Sequence, residues 1–414
     1  MHLCNVWKGA GCIASDKAMN KKISLGLTIS LVALACALTF ILTSAYNLHH
    51  FNQKVSSVEN MADTYSRLSE LDGLVRENFY TDIDETALSD AILKGYVSGL
   101  NDPYSRYMTP QELTASQEND KGVLVGIGVN VLRDESGYIL IDSVTTDTPA
   151  DQSELAAGDM IVAVNGTDVL ELGYEQAVDQ IRGKEGTSLK LTVRRGGVDK
   201  EYELVRRSIE VKTAWGEMLE GKIGYIRISG FKESTVDQFN EALRTLLNDG
   251  AKALVFDVRG NHGGLVSSVG SCLDPLLPEG DVAFATYRDG SEEVLIRSDG
   301  EELELPMAVL VDQETASAAE LFASALRDFE KAKLYGVTTY GKGVMQNTIS
   351  LNDGGGLTIT VATYRTARSA CYQGVGLIPD YDVELPEDAP ALDDLSHEED
   401  AQLQKALSVL QGGE

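Results

Sequence analysis

The chain has 414 residues, 43% hydrophobic and 24% charged, proportions of an ordinary folded protein that exclude disordered, collagen-like and disulfide-scaffold classes. With 35 Lys and Arg against 64 Asp and Glu the net charge is −29, which repels phosphate backbones, so no nucleic-acid partner is expected. Of five histidines only His262 lies away from the ends, and the cysteines (Cys4, Cys12, Cys36, Cys272, Cys371) form no CxxC pair, so neither metal nor cofactor is expected. For Cys272 and Cys371, two separate buried thiols are favoured over one disulfide.

Residues 23–45 carry no charge and as a helix would span about 34 Å, enough to cross a bilayer. Lys8, Lys17, Lys21 and Lys22 precede them against Asp16 alone. This bias predicts a cytoplasmic tail over 1–22, a single transmembrane anchor over 23–45, and an extracytoplasmic remainder. The alternatives are a cleaved signal peptide, whose apolar core runs only about 7–15 residues, and a lipoprotein anchor at Cys36, beyond which the chain stays apolar through Ala45. From 46 to 110 the pattern is helical, with Leu68, Leu71, Leu74, Val75, Leu88, Ile92 and Leu93 at spacings of three and four, closed by the turn-rich Asn101-Asp-Pro-Tyr-Ser-Arg-Tyr. Over 111–207 come short strand-like runs (138–144, 160–164, 188–193) and one helix at 174–181. Over 208–385 strands alternate with helices: 224–228, a helix at 235–247, 253–258, a helix after Gly264, 307–311 and a further helix. That alternation predicts an α/β core with a largely parallel sheet. The segment 386–414 follows a stretch without Lys or Arg, and residues 384–400 hold eight carboxylates. It reads as an acidic solvated tail with a short helix at 400–410.

The middle segment has a recognisable pattern. Pro149-Ala150, Leu155, Gly158-Asp159, Ile161 and Val164-Asn165-Gly166 stand at the spacing of PDZ domains, and Gly126, Ile127, Gly128 and Val129 resemble their carboxylate-binding loop. Successive N–H groups of such a turn hold a C-terminal carboxylate, and the next strand pairs with an extended peptide. Asn165-Gly-Thr also fits a glycosylation acceptor but belongs to the turn.

Chemistry is expected in the α/β part. Ser317 precedes a helical run with apolar residues at 318, 321, 322, 325, 326 and 329, and Ser317-x-x-Glu320 fits a capping box. The same position at the positive end of a helix favours an oxyanion. Residues 257–264 follow a strand and end in Gly263-Gly264, whose N–H groups can point at such a charge. In Tyr340-Gly-Lys-Gly-Val-Met-Gln346, an extended chain would put Lys342, Val344 and Gln346 on one face. A lysine acts as general base only when neutral, and working near pH 7.5 asks for a downward shift of roughly three units, about 4 kcal/mol.

Together these segments resemble the C-terminal processing peptidases (tail-specific proteases), serine proteases that carry a PDZ domain. The resemblance runs from about Leu71 to Pro379. It includes Asn101-Asp-Pro-Tyr-Ser-Arg-Tyr, the PDZ pattern, residues 257–264, Thr315-Ala-Ser-Ala-Ala-Glu320, Gly341-Lys-Gly343 and Gly376-Leu-Ile-Pro-Asp380. It implies an α/β protease core with an inserted mainly-β PDZ domain, Ser317 as nucleophile, Lys342 as base and Gln346 beside it. It also implies an oxyanion hole from the N–H groups of Gly263 and Ala318, with Asp328 in support. Arg182 would couple peptide binding to activity, the helical region would support a homodimer, and the substrates would be proteins or peptides with accessible C-termini. Two positions depart from the family: His262 stands where Pro is frequent, and Thr315 where Ser is. His262 admits a rival in which it is the base, oriented by Asp257 or Asp328. Peptide capture without cleavage is a second rival. Residues 336–343 nearly spell a P-loop, but Gly343 replaces its Ser or Thr and a hairpin follows where a helix is needed.

Overall fold

The computed structural model describes residues 25–392 and 394–412. The expected cytoplasmic tail, 1–22, lies outside them, as do the first two residues of the expected span. Among the described residues no helix is long and apolar enough to cross a membrane. The described residues up to 88 and those from 89 onward form two compact units. In the first, the helix Leu25–Asn78 runs for 54 residues, about 81 Å. Near its end Arg76 pairs with Asp72 at 2.8 Å and with Glu85 at 2.5 Å.

In the second unit, the strand-like runs of the α/β region lie side by side. The sheet order is Ala214–Leu219, Ile223–Ile228, Ala253–Asp257, Met307–Val311, Ala332–Gly336, Tyr381–Asp382; the first pair is antiparallel and the rest are parallel. Every residue of the three strands at 223–228, 253–257 and 307–311 is buried, the charged Arg227 and Asp257 included, as a sheet covered on both faces requires. One face is covered by the helices Glu233–Asn248, Val266–Leu273 and Ala318–Asp328, where Phe322 packs against Phe231 and Phe256 with ring centroids 5.6 and 5.5 Å apart. A second, five-stranded antiparallel sheet contains the hairpin Val344–Ser350 and Gly356–Thr366 with Gly280–Tyr287, Glu292–Ser298 and the short Arg106–Met108.

The other face of the parallel sheet corrects the expected solvated tail. The helix Ala401–Leu410 lies there with Leu403 and Ala406 fully buried beside Tyr225, Val255 and Leu310. Asp400 caps it, and the buried Arg259 guanidinium donates to Asp400 at 2.6 and 3.0 Å, to Gln402 at 2.9 Å and to Asp257 at 2.6 Å. Burial acts to raise the Asp257 pKa, but Arg259, Arg227 and Tyr225 override it and hold the carboxyl below its ordinary range. Cys272 is a buried free thiol whose pKa burial pushes up, and Cys371 is half-buried and free.

Between Val123–Gly126 and Arg207–Glu210, which pair with each other, the chain makes a separate six-stranded antiparallel sheet. The inserted domain therefore has its two ends tied together. Its strands Ile139–Val144, Met160–Val164 and Ser188–Arg195 and its helix Tyr174–Ile181 lie where the sequence predicts them.

Candidate active site

Ser317 sits where a buried strand turns into a buried helix. It takes φ 56° and ψ −119°, a conformation open to glycine and costly for other residues by about 1–3 kcal/mol. The surrounding turn is held by hydrogen bonds. Asp312 accepts from Gly260 N at 2.9 Å and Thr315 N at 2.8 Å, Thr315 Oγ1 accepts from Asp312 N at 2.9 Å, and Ala316 N donates to Asn261 O at 2.9 Å. Thr315 thus locks the turn from outside the reacting pair.

The capping box is only half a cap. Ser317 Oγ makes no cap hydrogen bond, while Glu320, fully buried, gathers four donors. Its Oε2 accepts from Ser317 N at 2.9 Å and Lys342 N at 2.8 Å; its Oε1 accepts from Gly341 N at 2.8 Å and Thr339 Oγ1 at 2.5 Å. One carboxylate therefore ties the backbone of the candidate nucleophile to that of the candidate base. The sequence signal for this was the Glu320 of the box, read there as local capping alone.

The side chains are arranged differently from their backbones. Lys342 Nζ makes no hydrogen bond to a described residue and stands over the Tyr104 ring, 4.5 Å from its centroid. Burial pushes the Lys342 pKa down, against the pull of Asp102. Ser317 Oγ lies 3.5 Å from the Tyr364 hydroxyl, which also reaches Lys342 O at 2.7 Å. Gln346, expected beside the amine, donates instead to Thr360 Oγ1 at 3.1 Å and Val344 O at 3.4 Å. A register shift between Met345 and Gln346 breaks the alternation that would have put Gln346 on the face of Lys342.

Of the two expected oxyanion donors, Ala318 N–H opens the helix without an acceptor among the described residues. The Gly263 N–H is occupied, donating to Asn261 Oδ1 at 2.8 Å. Gly263 is needed for another reason: a Cβ there would come within 2.9 Å of both Ala318 N and Ser317 Cβ. Asp328 lies at the far end of the helix, about 16 Å from Ser317 by helical rise. It accepts from Thr366 Oγ1 at 2.6 Å, Arg368 N at 2.9 Å and Ser369 N at 2.8 Å, which makes it a structural clasp. His262 is exposed and bonded to neither Asp257 nor Asp328, so the Ser–His arrangement is not assembled.

In the inserted domain, Gly126 pairs with Arg207, Ile127 is buried, and Gly128 has φ 86°. A Cβ on Gly128 would meet Thr148 at 2.3 Å. Val129 opens the strand Val129–Arg133, which pairs on one side only and leaves an edge for an added peptide strand. The Tyr174 hydroxyl reaches back to Val131 O at 3.4 Å, setting the helix Tyr174–Ile181 beside this strand. Arg182 ends that helix with an exposed side chain. Its carbonyl and those of Gln180 and Ile181 accept from the buried Arg206 guanidinium at 2.9, 2.6 and 3.0 Å, a C-terminal cap that the sequence did not single out.

Comparisons with known proteins agree with this division. Peptidase family S41 matches residues 222–383, the PDZ domain 114–194, and the N-terminal domain of the activating protease CtpB 32–112. The carboxy-terminal processing protease CtpA of Bacillus subtilis (strain 168) is 33% identical over 380 residues, 91% of this chain and 80% of that protein. A "Probable CtpA-like serine protease" of Staphylococcus aureus (strain COL) is 31% identical over 341 residues, 81% of this chain and 68% of the relative. A solved photosystem II D1 C-terminal processing protease is 25% identical, covering 77% of this chain and 87% of its own, with a TM-score of 0.46. The chain belongs to peptidase family S41 as a PDZ-bearing C-terminal processing peptidase, a protease of the serine type.

Proposed function

We propose that the protein is a membrane-anchored extracytoplasmic endopeptidase that captures C-terminal tails through its PDZ domain and cleaves them by a Ser–Lys mechanism. The observation that carries the mechanism is Glu320, which binds the backbones of Ser317 and Lys342 at once. In this reading the neutral Lys342 amine takes the Ser317 Oγ proton as the oxygen attacks the scissile carbonyl. The tetrahedral oxyanion is met by Ala318 N–H, with a second donor from the Gly263–Gly264 turn; Gly263 N–H itself serves only once Asn261 releases it. The lysine ammonium then protonates the leaving amine, and water, deprotonated by the now neutral Lys342 amine, hydrolyses the acyl-enzyme. Gln346 joins the lysine only if it leaves Thr360.

Anchoring rests on the uncharged run 23–45, the lysines before it, and the exposure of its large apolar side chains from Ile29 to Leu42. Capture of tails rests on the open edge of Val129–Arg133 beside the glycine-flanked turn at 126–128. The non-catalytic reading has nothing to favour it in a serine protease.

The test uses the full-length chain in detergent with an unstructured protein ending in an apolar tail, and fragments are followed by mass spectrometry. The parent should cleave, and Ser317→Ala and Lys342→Ala should bind the tail without cleaving it; cleavage by Lys342→Ala would remove the lysine from the mechanism. Carbonate extraction of membranes from cells making the full chain checks the anchor, and release into the supernatant would overturn it.

A further inference from the structure

We propose that Tyr104, braced by Asp102, is a positioning residue for the general base: its ring holds the Lys342 ammonium out of hydrogen bond with Ser317, and the amine must leave that ring before the serine can be deprotonated. The proposal rests on the reading of Lys342 as the base and adds to it a residue from the turn that precedes the strand Arg106–Met108.

The geometry is specific. Lys342 Nζ has the Tyr104 ring 4.5 Å away and no hydrogen bond to any described residue, and Ser317 Oγ faces Tyr364 instead. An aromatic face attracts an ammonium and does little for a neutral amine. The base is therefore held in contact with a surface that favours its inactive protonation state. A ring serving only as packing would meet the aliphatic stem of the lysine, and here it meets the charged end.

The ring is held in place from several sides. Asp102 accepts from Tyr104 N at 3.2 Å and from Ser105 Oγ at 2.5 Å, and Ser105 Oγ in turn accepts from Thr360 N at 3.1 Å. Burial acts to raise the Asp102 pKa, and hydrogen bonds led by Ser105 bring it below the ordinary range, so Asp102 is a carboxylate. The strand Arg106–Met108 pairs with Gly356–Thr358 of the same hairpin that carries Gln346. Thr360 connects the two arms, since its hydroxyl accepts from Gln346 Nε2. Lys342, through its amine on Tyr104, and Gln346, through Thr360, thus each connect to the 101–107 segment.

The groups that set the lysine's charge come from each surrounding element. Asp102 on the segment and Glu320 on the helix favour the ammonium; burial and Arg106 oppose it. The Tyr104 hydroxyl interacts with Tyr340, which precedes the lysine loop, and the Tyr364 hydroxyl donates to the lysine carbonyl. Tyr104 can therefore be removed while every formal charge stays in place.

The experiment measures kcat and KM for a quenched peptide from pH 6 to 10 with the full-length chain in detergent. Because the neutral amine is the active form, kcat rises with pH through the Lys342 titration. Tyr104→Leu, which keeps the site apolar, should move that rising limb down by about 0.4 to 1.5 pH units. Below the limb kcat should rise by about 2- to 30-fold, with KM unchanged. Tyr104→Phe keeps the aromatic face and should keep the parent's limb. Tyr104→Met, also apolar and without an aromatic face, should move the limb in the same direction as Tyr104→Leu, so the proposal stays testable should the leucine variant fail to fold. A limb that stays in place in Tyr104→Leu, or in Tyr104→Met when the leucine variant does not fold, overturns the proposal, as does a kcat lowered equally at every pH. Lys342→Ala separates the two claims. If it still cleaves, the lysine is not the base; if it is dead while the Tyr104→Leu limb is unmoved, only the role of Tyr104 fails.

Discussion

Replacing Glu320 with Gln changes one atom in a fully buried side chain and should disable the enzyme without emptying its core. The carboxylate accepts four hydrogen bonds, two on each oxygen. The amide retains one oxygen and presents an NH2 group to two donors that sat 2.5–2.9 Å from the other. Hydrogen bonds to a charged acceptor contribute about 1.5–3 kcal/mol each, so the gross loss is about 3–6 kcal/mol. Removing a buried charge offsets part of this, leaving about 2–4 kcal/mol. Much of that loss falls on Ser317, whose backbone conformation has to be held by its surroundings, and on the loop of Lys342. A loss of 2.7 kcal/mol in the transition state is about 100-fold in kcat, and a fall of that order is expected. Hydrogen exchange read by mass spectrometry on the Ser317→Ala background, where self-cleavage is absent, should show faster exchange at residue 317 and at Gly341 and Lys342. Protection at those amides and kcat/KM both within twofold of the parent would refute the reasoning.

Four further outcomes follow from particular contacts. Ser317→Gly relieves a positive φ that Ser317→Ala does not, so the glycine variant should be the more stable of two inactive proteins by about 1 kcal/mol; equal melting temperatures would argue against backbone strain. Asp400→Ala strips two hydrogen bonds from the buried Arg259 and should cost about 3 kcal/mol and loosen the helix Ala401–Leu410, read as faster exchange there. Asp257 keeps its part of that network: because its folded pKa is depressed, its stabilisation is present above the unfolded value of about 3.9 and is lost as pH falls through the lower folded one, so acid melting should set in below about pH 4. Gly128→Val places a side chain on Thr148 and should weaken binding of an apolar tail peptide at least about tenfold on the Ser317→Ala background, measured by fluorescence anisotropy.

What could be read from the sequence was whatever depends on short-range pattern. Buried strands such as 307–311 are continuous apolar runs, and the helix at 174–181 has its boundaries in local spacing. What escaped depends on partners far along the chain. The carboxylates of 384–400 looked like a solvated run because a count of charges does not show that Asp400 meets Arg259 141 residues away. The helix that follows did carry the one-sided apolar pattern of Leu403, Ala406, Leu407 and Leu410, and that pattern was the better guide. Glu320 was legible as a cap, yet its second role requires the approach of a loop about 20 residues downstream. Tyr104 was visible as part of a turn-rich boundary and of a motif shared with the family, but nothing local in Asn101-Asp-Pro-Tyr says that a lysine 238 positions later will lie on its ring.

These long-range contacts divide the site into a fixed part and a movable one. The backbones of Ser317, Gly341 and Lys342 are joined through a single buried carboxylate, and releasing them would cost several kcal/mol. The side chains are held by weaker forces: a cation on an aromatic ring, about 0.5–2 kcal/mol, and a 3.5 Å contact between two hydroxyls. Bringing the pair into hydrogen-bond contact therefore breaks only these weaker contacts and leaves the loop's hydrogen bonds to Glu320 in place. A substrate strand seated beside Ser317 needs to contribute only a few kcal/mol of differential binding to shift that balance, which is within the range of a handful of backbone hydrogen bonds.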